Sequence, residues 1–169
     1  MTESPAKKVS FIALTSTLAL IFSYVEILIP FNLGIPGIKI GIANVVVILA
    51  LYLYDFKTAF FVNFIRIVLA GLLFNGFFAA IYSLAGGLLS LFIMYLLKNS
   101  KKFSLTAVSM CGGVFHNLGQ ITIAAIIVES PKLFLYFPVL IFSGMITGTA
   151  VGILAYFILN KLPGSSLPQ

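Results

Sequence analysis

Arg66 lies in the stretch from Ala59 to Phe74, where Asn63 is the only other strongly polar residue. A guanidinium stays ionised in proteins, and in hydrocarbon it needs an anionic or carbonyl partner. Asn63 stands three residues before Arg66, on the same face of a helix. A second polar set, Gly112, Gly113, His116, Asn117 and Gln120, also shares one helical face. Glu26 and Asn44 belong to two further apolar runs, with Lys39 in the segment between them. These residue types suit the binding of a small solute rather than a reaction. Arg66 and Lys39 would hold an anionic or carbonyl group. Asn44, Asn63, His116, Asn117 and Gln120 would hydrogen-bond the rest, and Glu26 would either balance Arg66 or meet a cationic part. The same residues also admit a structural reading. In that reading Arg66 and Glu26 form a buried pair, and the amides act as interhelical hydrogen-bond glue worth about 0.6 kcal/mol each.

Catalytic sets are missing. The four acidic residues, Glu3, Glu26, Asp55 and Glu129, are scattered, so no paired carboxylates are available to hold a Mg²⁺-diphosphate or to share acid–base work. There is no glycine-rich loop ending in Lys-Ser/Thr, which excludes ATP hydrolysis by that route. One histidine and one cysteine, Cys111, cannot build a multi-histidine or cysteine metal site, and Cys111 has no disulfide partner in the chain. No metal, cofactor or enzymatic activity is expected.

The elements that would carry these residues are transmembrane. The chain has 169 residues, 61% of them hydrophobic and 8% charged, with a mean hydropathy of +1.17. A soluble domain carries about a quarter charged residues, so this one could not wet its own surface. At roughly 20 residues per crossing, an all-α bundle of about six spans fills the chain as a single domain. The spans read as Val9–Ile29, Ile40–Tyr54, Phe56–Phe74, Phe77–Leu97, Ser104–Val128 and Pro138–Asn160. The second is short for a crossing and almost abuts the third. The first is too long for a removed signal peptide and is expected to stay. Lys98 to Lys102 reads as a loop, and the residues after Lys161 read as a disordered tail.

Charge sets the expected orientation. With the N-terminus inside, the inner segments hold Lys7, Lys8, Lys57, Lys98, Lys101, Lys102 and Lys161, against Lys39 and Lys132 outside. The positive-inside rule then puts both termini in the cytoplasm. The formal charge of +6 is thereby explained by membrane orientation, and nucleic acid is not an expected partner. Gly144, Gly148 and Gly152 form a small-residue stripe on the last span, which lets a helix approach closely, within the bundle or on another protein.

Three segments carry a resemblance. Pro36-Gly37-Ile38-Lys39-Ile40-Gly41-Ile42-Ala43-Asn44, Asn63-Phe64-Ile65-Arg66 with Ala70-Gly71-Leu72-Leu73-Phe74, and Gly113-Val114-Phe115-His116-Asn117-Leu118-Gly119-Gln120 resemble the bacterial Gx transporter family. That family is also known as heptaprenyl diphosphate synthase component I. It is similar in turn to the substrate-binding (S) components of energy-coupling-factor importers. The resemblance implies a six-helix bundle in the bacterial plasma membrane, with a ligand site near the outer face partly covered by the Pro30–Lys39 loop. It also implies a transmembrane coupling protein and two cytoplasmic ATPases as partners. S components often dock through Ala-x-x-x-Ala on the first helix, where this chain has Ala13-x-x-x-Thr17. The synthase name implies another role, a non-catalytic membrane component of isoprenoid or quinone synthesis. Prenyl diphosphate synthases use two Asp-rich motifs, and this chain has one aspartate, Asp55. A secondary transporter working alone is a third possibility, less suited to six short spans.

Overall fold

The computed structural model describes residues 5–28 and 41–162. Lys39 and the Pro30–Lys39 loop lie outside the described residues, as do Ile29 and the tail from residue 163. The described chain is six α-helices: α1 (Pro5–Leu28), α2 (Ile42–Leu53), α3 (Phe56–Ala70), α4 (Phe77–Ser100), α5 (Leu105–Ile127) and α6 (Phe137–Lys161). A π-helical turn, Gly71–Asn75, follows α3, and a 3-10 turn, Pro131–Tyr136, precedes α6. No strand occurs among the described residues. Five segments are long and apolar enough to cross a membrane, which fits a multi-pass membrane protein.

The polarity of the bundle is that of a membrane protein. On α1, Leu14, Leu18, Ile21, Val25 and Leu28 form an exposed apolar stripe, one face of a 3.6-residue helix turned to lipid. On α6, Phe142, Ile146, Ile153 and Phe157 do the same. The interior is built around α2, which is buried over Val45, Val46, Val47 and Ile48 as well as Ala43, Ala50 and Leu51. It packs on α1, α3 and α6.

Several boundaries differ from the sequence reading for identifiable reasons. The α2 helix has 12 residues, about 18 Å of rise, well short of a hydrocarbon core of about 30 Å. It is therefore not a full span. Its start is set by Gly41 at φ 83°, a left-handed conformation that glycine adopts without strain. The α3 helix does not run regularly to Phe74. Its hydrogen bonding widens after Ala70, and the Gly76 amide donates to the Gly71 carbonyl at 2.8 Å. The Asn75-Gly76 pair, with Gly76 at φ 81°, ends the segment. The expected Lys98–Lys102 loop is shorter, because α4 continues through Ser100. Lys98 Nζ donates to the Leu51 carbonyl at 2.6 Å, placing a cation on the C-terminal end of α2, where the helix dipole favours it.

Lys8, Asp55 and Lys98 thus meet at one end of the bundle, referred to below as the lysine-rich end. Asp55 is the N-cap of α3, its Oδ1 accepting from the Thr58 amide at 2.7 Å. Its Oδ2 accepts from Lys8 Nζ at 2.7 Å, which ties α1 to the α2–α3 turn. The Lys8 hydrogen bond, then those from Thr58, hold the Asp55 carboxyl down at about 2, against an ordinary value of 3.8. A carboxyl with a lowered folded value contributes stability at pH above about 4, and that contribution disappears as pH falls toward 2. Because the pair is exposed, its contribution is less than about 1 kcal/mol. Asp55→Asn keeps a capping side chain and should melt within a few degrees of wild type at pH 7. It should also lose part of the melting-temperature drop seen between pH 5 and pH 3, as read by circular dichroism in detergent.

The glycine stripe of α6 packs inside the bundle. A β-carbon on Gly148 would meet the Ser109 carbonyl oxygen at 2.7 Å, and one on Gly152 would meet Thr106 Cα at 2.8 Å. Gly144 faces Gly113 in the same way. The α5–α6 interface is therefore backbone on backbone, as small-residue stripes allow in membranes. The α4–α5 crossing repeats the device at Gly86 and Gly119.

Candidate functional site

The helices enclose a cavity of about 200 Å³ lined by residues of all six helices and the π turn. Arg66 is its dominant charge. The α3 helix brings the guanidinium inward, with the residue only 8% exposed. Nη2 donates to Asn44 Oδ1 at 2.9 Å and to Asn63 Oδ1 at 2.7 Å. The two amides come from α2 and α3, so the guanidinium is locked at one corner by two neutral acceptors. The Nε donor is buried without a partner. Nη1 makes no hydrogen bond among the described residues. Three N–H groups of a fixed cation thus remain uncommitted beside the cavity, and a buried donor in that state is costly unless something fills the role.

Glu26 makes no direct ion pair with Arg66 among the described residues, although its charge still acts on the guanidinium. Lys8–Asp55 is the one ion pair among the described residues. Instead, Glu26 Oε1 accepts from the Ile42 amide at 2.7 Å. A carboxylate from α1 thus caps the N-terminus of α2, satisfying one of its orphan amides and meeting the positive end of its dipole. Glu26 and Asn44 both line the cavity.

On α5, His116, Asn117 and Gln120 line the opposite wall. Their spacing places them on one face, and Gly86 and Gly119 let α4 pack closely on α5 beside it. Asn117 is partly committed to packing, its Nδ2 donating to the Leu140 carbonyl at 2.8 Å and to Ser143 Oγ at 3.3 Å. Gln120 makes no side-chain hydrogen bond among the described residues. Asn63, 1% exposed, does not line the cavity and acts by holding Arg66.

The structure therefore gathers Arg66, Asn44, Glu26, His116, Asn117 and Gln120 around one space and puts Asn63 behind it. It also adds residues that the sequence did not single out for binding. Ser23, Asn75, Ser83, Ser90, Ser109 and Thr147 line the same cavity. A usable signal was present on α4, where Ser83 and Ser90 are seven residues apart and so share a face with Gly86 and Gly87. Among the described residues no group of His, Cys, Asp and Glu is arranged to hold a metal ion.

The fold and site define a multi-pass membrane helix bundle with a cavity lined by one arginine, one carboxylate and several amides and hydroxyls. The family model for heptaprenyl diphosphate synthase component I matches residues 15–158, most of the chain, and the protein belongs to that family. No curated protein and no solved structure matches it.

Proposed function

We propose that this protein is a membrane-embedded binding subunit for uptake of a small solute bearing a carboxylate, phosphate or carbonyl group. The observation that carries the reading is the Arg66 guanidinium, held by two asparagines with Nε and Nη1 unused among the described residues, beside a cavity lined in part by polar side chains. A cavity of about 200 Å³ suits one small metabolite. In this reading both termini are cytoplasmic and the membrane is the bacterial plasma membrane. A separate coupling protein and ATPases supply the energy, and no chemistry is done by this chain. The exposed face of α1 at Ala13 and Thr17 suits docking of a helix from such a coupling protein.

The family description favours a second reading, a non-catalytic membrane component that works with a heptaprenyl diphosphate synthase. Both readings expect a partner, and the partner decides between them. The tagged protein should be purified from its native membrane in mild detergent, with co-purifying proteins and released small molecules identified by mass spectrometry. Stoichiometric ATPases with a coupling membrane protein are the expected result. A prenyl diphosphate synthase in their place overturns the uptake reading and establishes the second.

A further inference from the structure

The cavity does not end at Arg66. Gly87 packs on Asn63 and Ile67, and Gly86 packs on His116 and Gln120, so Arg66 lies level with this part of α4 and α5. From there the lining continues toward the lysine-rich end through Ser90 and Met94 on α4 and Gly112 and Ser109 on α5. Ser90 lies four residues beyond Gly86, about 6 Å, and Ser109 seven residues beyond His116, about 10 Å. Both serines are deeply buried, at 7% and 3% exposure.

Helical serines and threonines can donate to the carbonyl one turn back. Ser23 donates to Ala19, Thr122 to Leu118, and Thr147 to Ser143 in this way. Ser90 and Ser109 make no hydrogen bond among the described residues, yet both line the cavity. A glycine of a neighbouring helix packs against each of them. A β-carbon on Gly112 would stand 3.2 Å from Ser90 Oγ, and one on Gly152 would stand 3.3 Å from Ser109 Oγ.

We propose that Ser90 and Ser109 form an inner subsite for the uncharged, hydrogen-bonding end of an elongated monoanion whose charged end rests on Arg66. This inference rests on the binding reading above and names its substrate class: a slender acid with a hydroxyl, carbonyl or amide group roughly 6–10 Å from the charge. A purely hydrocarbon tail is disfavoured, because it would bury both hydroxyls against methylenes and leave them unpaired.

The test uses two probe acids of matched length, hexanoate and 6-hydroxyhexanoate, titrated calorimetrically against the full-length protein in nanodiscs. Wild type should bind the hydroxy acid three- to tenfold more tightly, the range expected for one neutral hydrogen bond. In Ser90→Ala and Ser109→Ala the ratio should fall to about one as the hydroxy acid loses its advantage. Circular dichroism melting of the same samples verifies that the variants are folded. Equal affinity of wild type for both acids overturns the inner subsite while leaving anion binding at Arg66 standing; the hydroxyls then hold water only. A wild-type preference that survives in both variants also overturns it. Failure of wild type to bind either acid overturns the Arg66 reading and the subsite together.

Discussion

Arg66→Met should lower solute affinity at least thirtyfold, with much less effect on folding. Truncating one partner of a buried, hydrogen-bonded charge pair costs about 2–5 kcal/mol of binding, and 2 kcal/mol is already a factor of about thirty. Methionine keeps most of the side-chain length, so the cavity wall is retained and only the donors go. The stability effect is a balance of opposing changes. The variant orphans the Asn44 and Asn63 oxygens that Nη2 now satisfies. It also removes a buried cation whose Nε has no partner in the described structure, and uncompensated charge in a bundle interior is itself destabilising. A melting temperature within several degrees of wild type, with binding of the probe acid abolished, is the expected pair of results. Unchanged binding would show that Arg66 is structural only, and Arg66→Lys separates charge from geometry. Lysine restores the charge but not the planar fork that two asparagines hold, so partial recovery of affinity is expected.

That Arg66 would matter was legible from sequence because an ionised group in an apolar run has so few permitted uses. The same logic found Asn44 and the His116–Gln120 face, which the structure places around one cavity. It left Glu26 between balancing Arg66 and meeting a cationic part, and did not foresee its hydrogen bond to the Ile42 amide. Opposite charges in hydrocarbon suggest a pair, but a helix that starts inside the bundle also presents positive charge, at its unsatisfied amides. Only the truncation of α2 to Ile42–Leu53 reveals that second claimant, and hydropathy carries no trace of it. The serine lining was missed for a related reason. A serine in a transmembrane helix can bond its own backbone or leave its hydroxyl to a cavity, and the residue type does not say which holds at Ser90 and Ser109. The span count was read as six from apolar length, and five segments have that length. The shortfall lies in α2, whose burial on nearly every face makes it apolar without making it long enough to cross.

Gly144→Ala should cost the bundle more stability than Arg66→Met. An ideal β-carbon on Gly144 stands 2.8 Å from the Gly113 carbonyl oxygen and 2.9 Å from Gly113 C and Val114 Cα. All three are backbone atoms of α5, so no side chain can rotate to make room. The helices must separate instead, and α5 with α6 forms the most extensive helix pair of the fold. Separation at Gly144 opens the contacts one and two turns along, at Gly148 and Gly152, and stretches the Asn117 hydrogen bond to Leu140. In a bilayer this loss is not offset by hydrophobic repacking, since lipid is as apolar as the helix surface and close van der Waals contact is what holds the pair. Overpacking of this kind costs about 3 kcal/mol, or roughly 6–12 °C in melting temperature for a chain of this size. Gly76→Ala is the matching control. No atom lies within 4 Å of its β-carbon position, so only the strain of φ 81°, ψ 168° is felt, about 1–3 kcal/mol. Thermal melting of the two variants side by side in one detergent should therefore rank Gly144→Ala below Gly76→Ala. The reverse order would mean that α5 and α6 cross with more room than the stripe implies. The wall carrying Gly113, His116 and Asn117 would then be free to shift relative to Arg66.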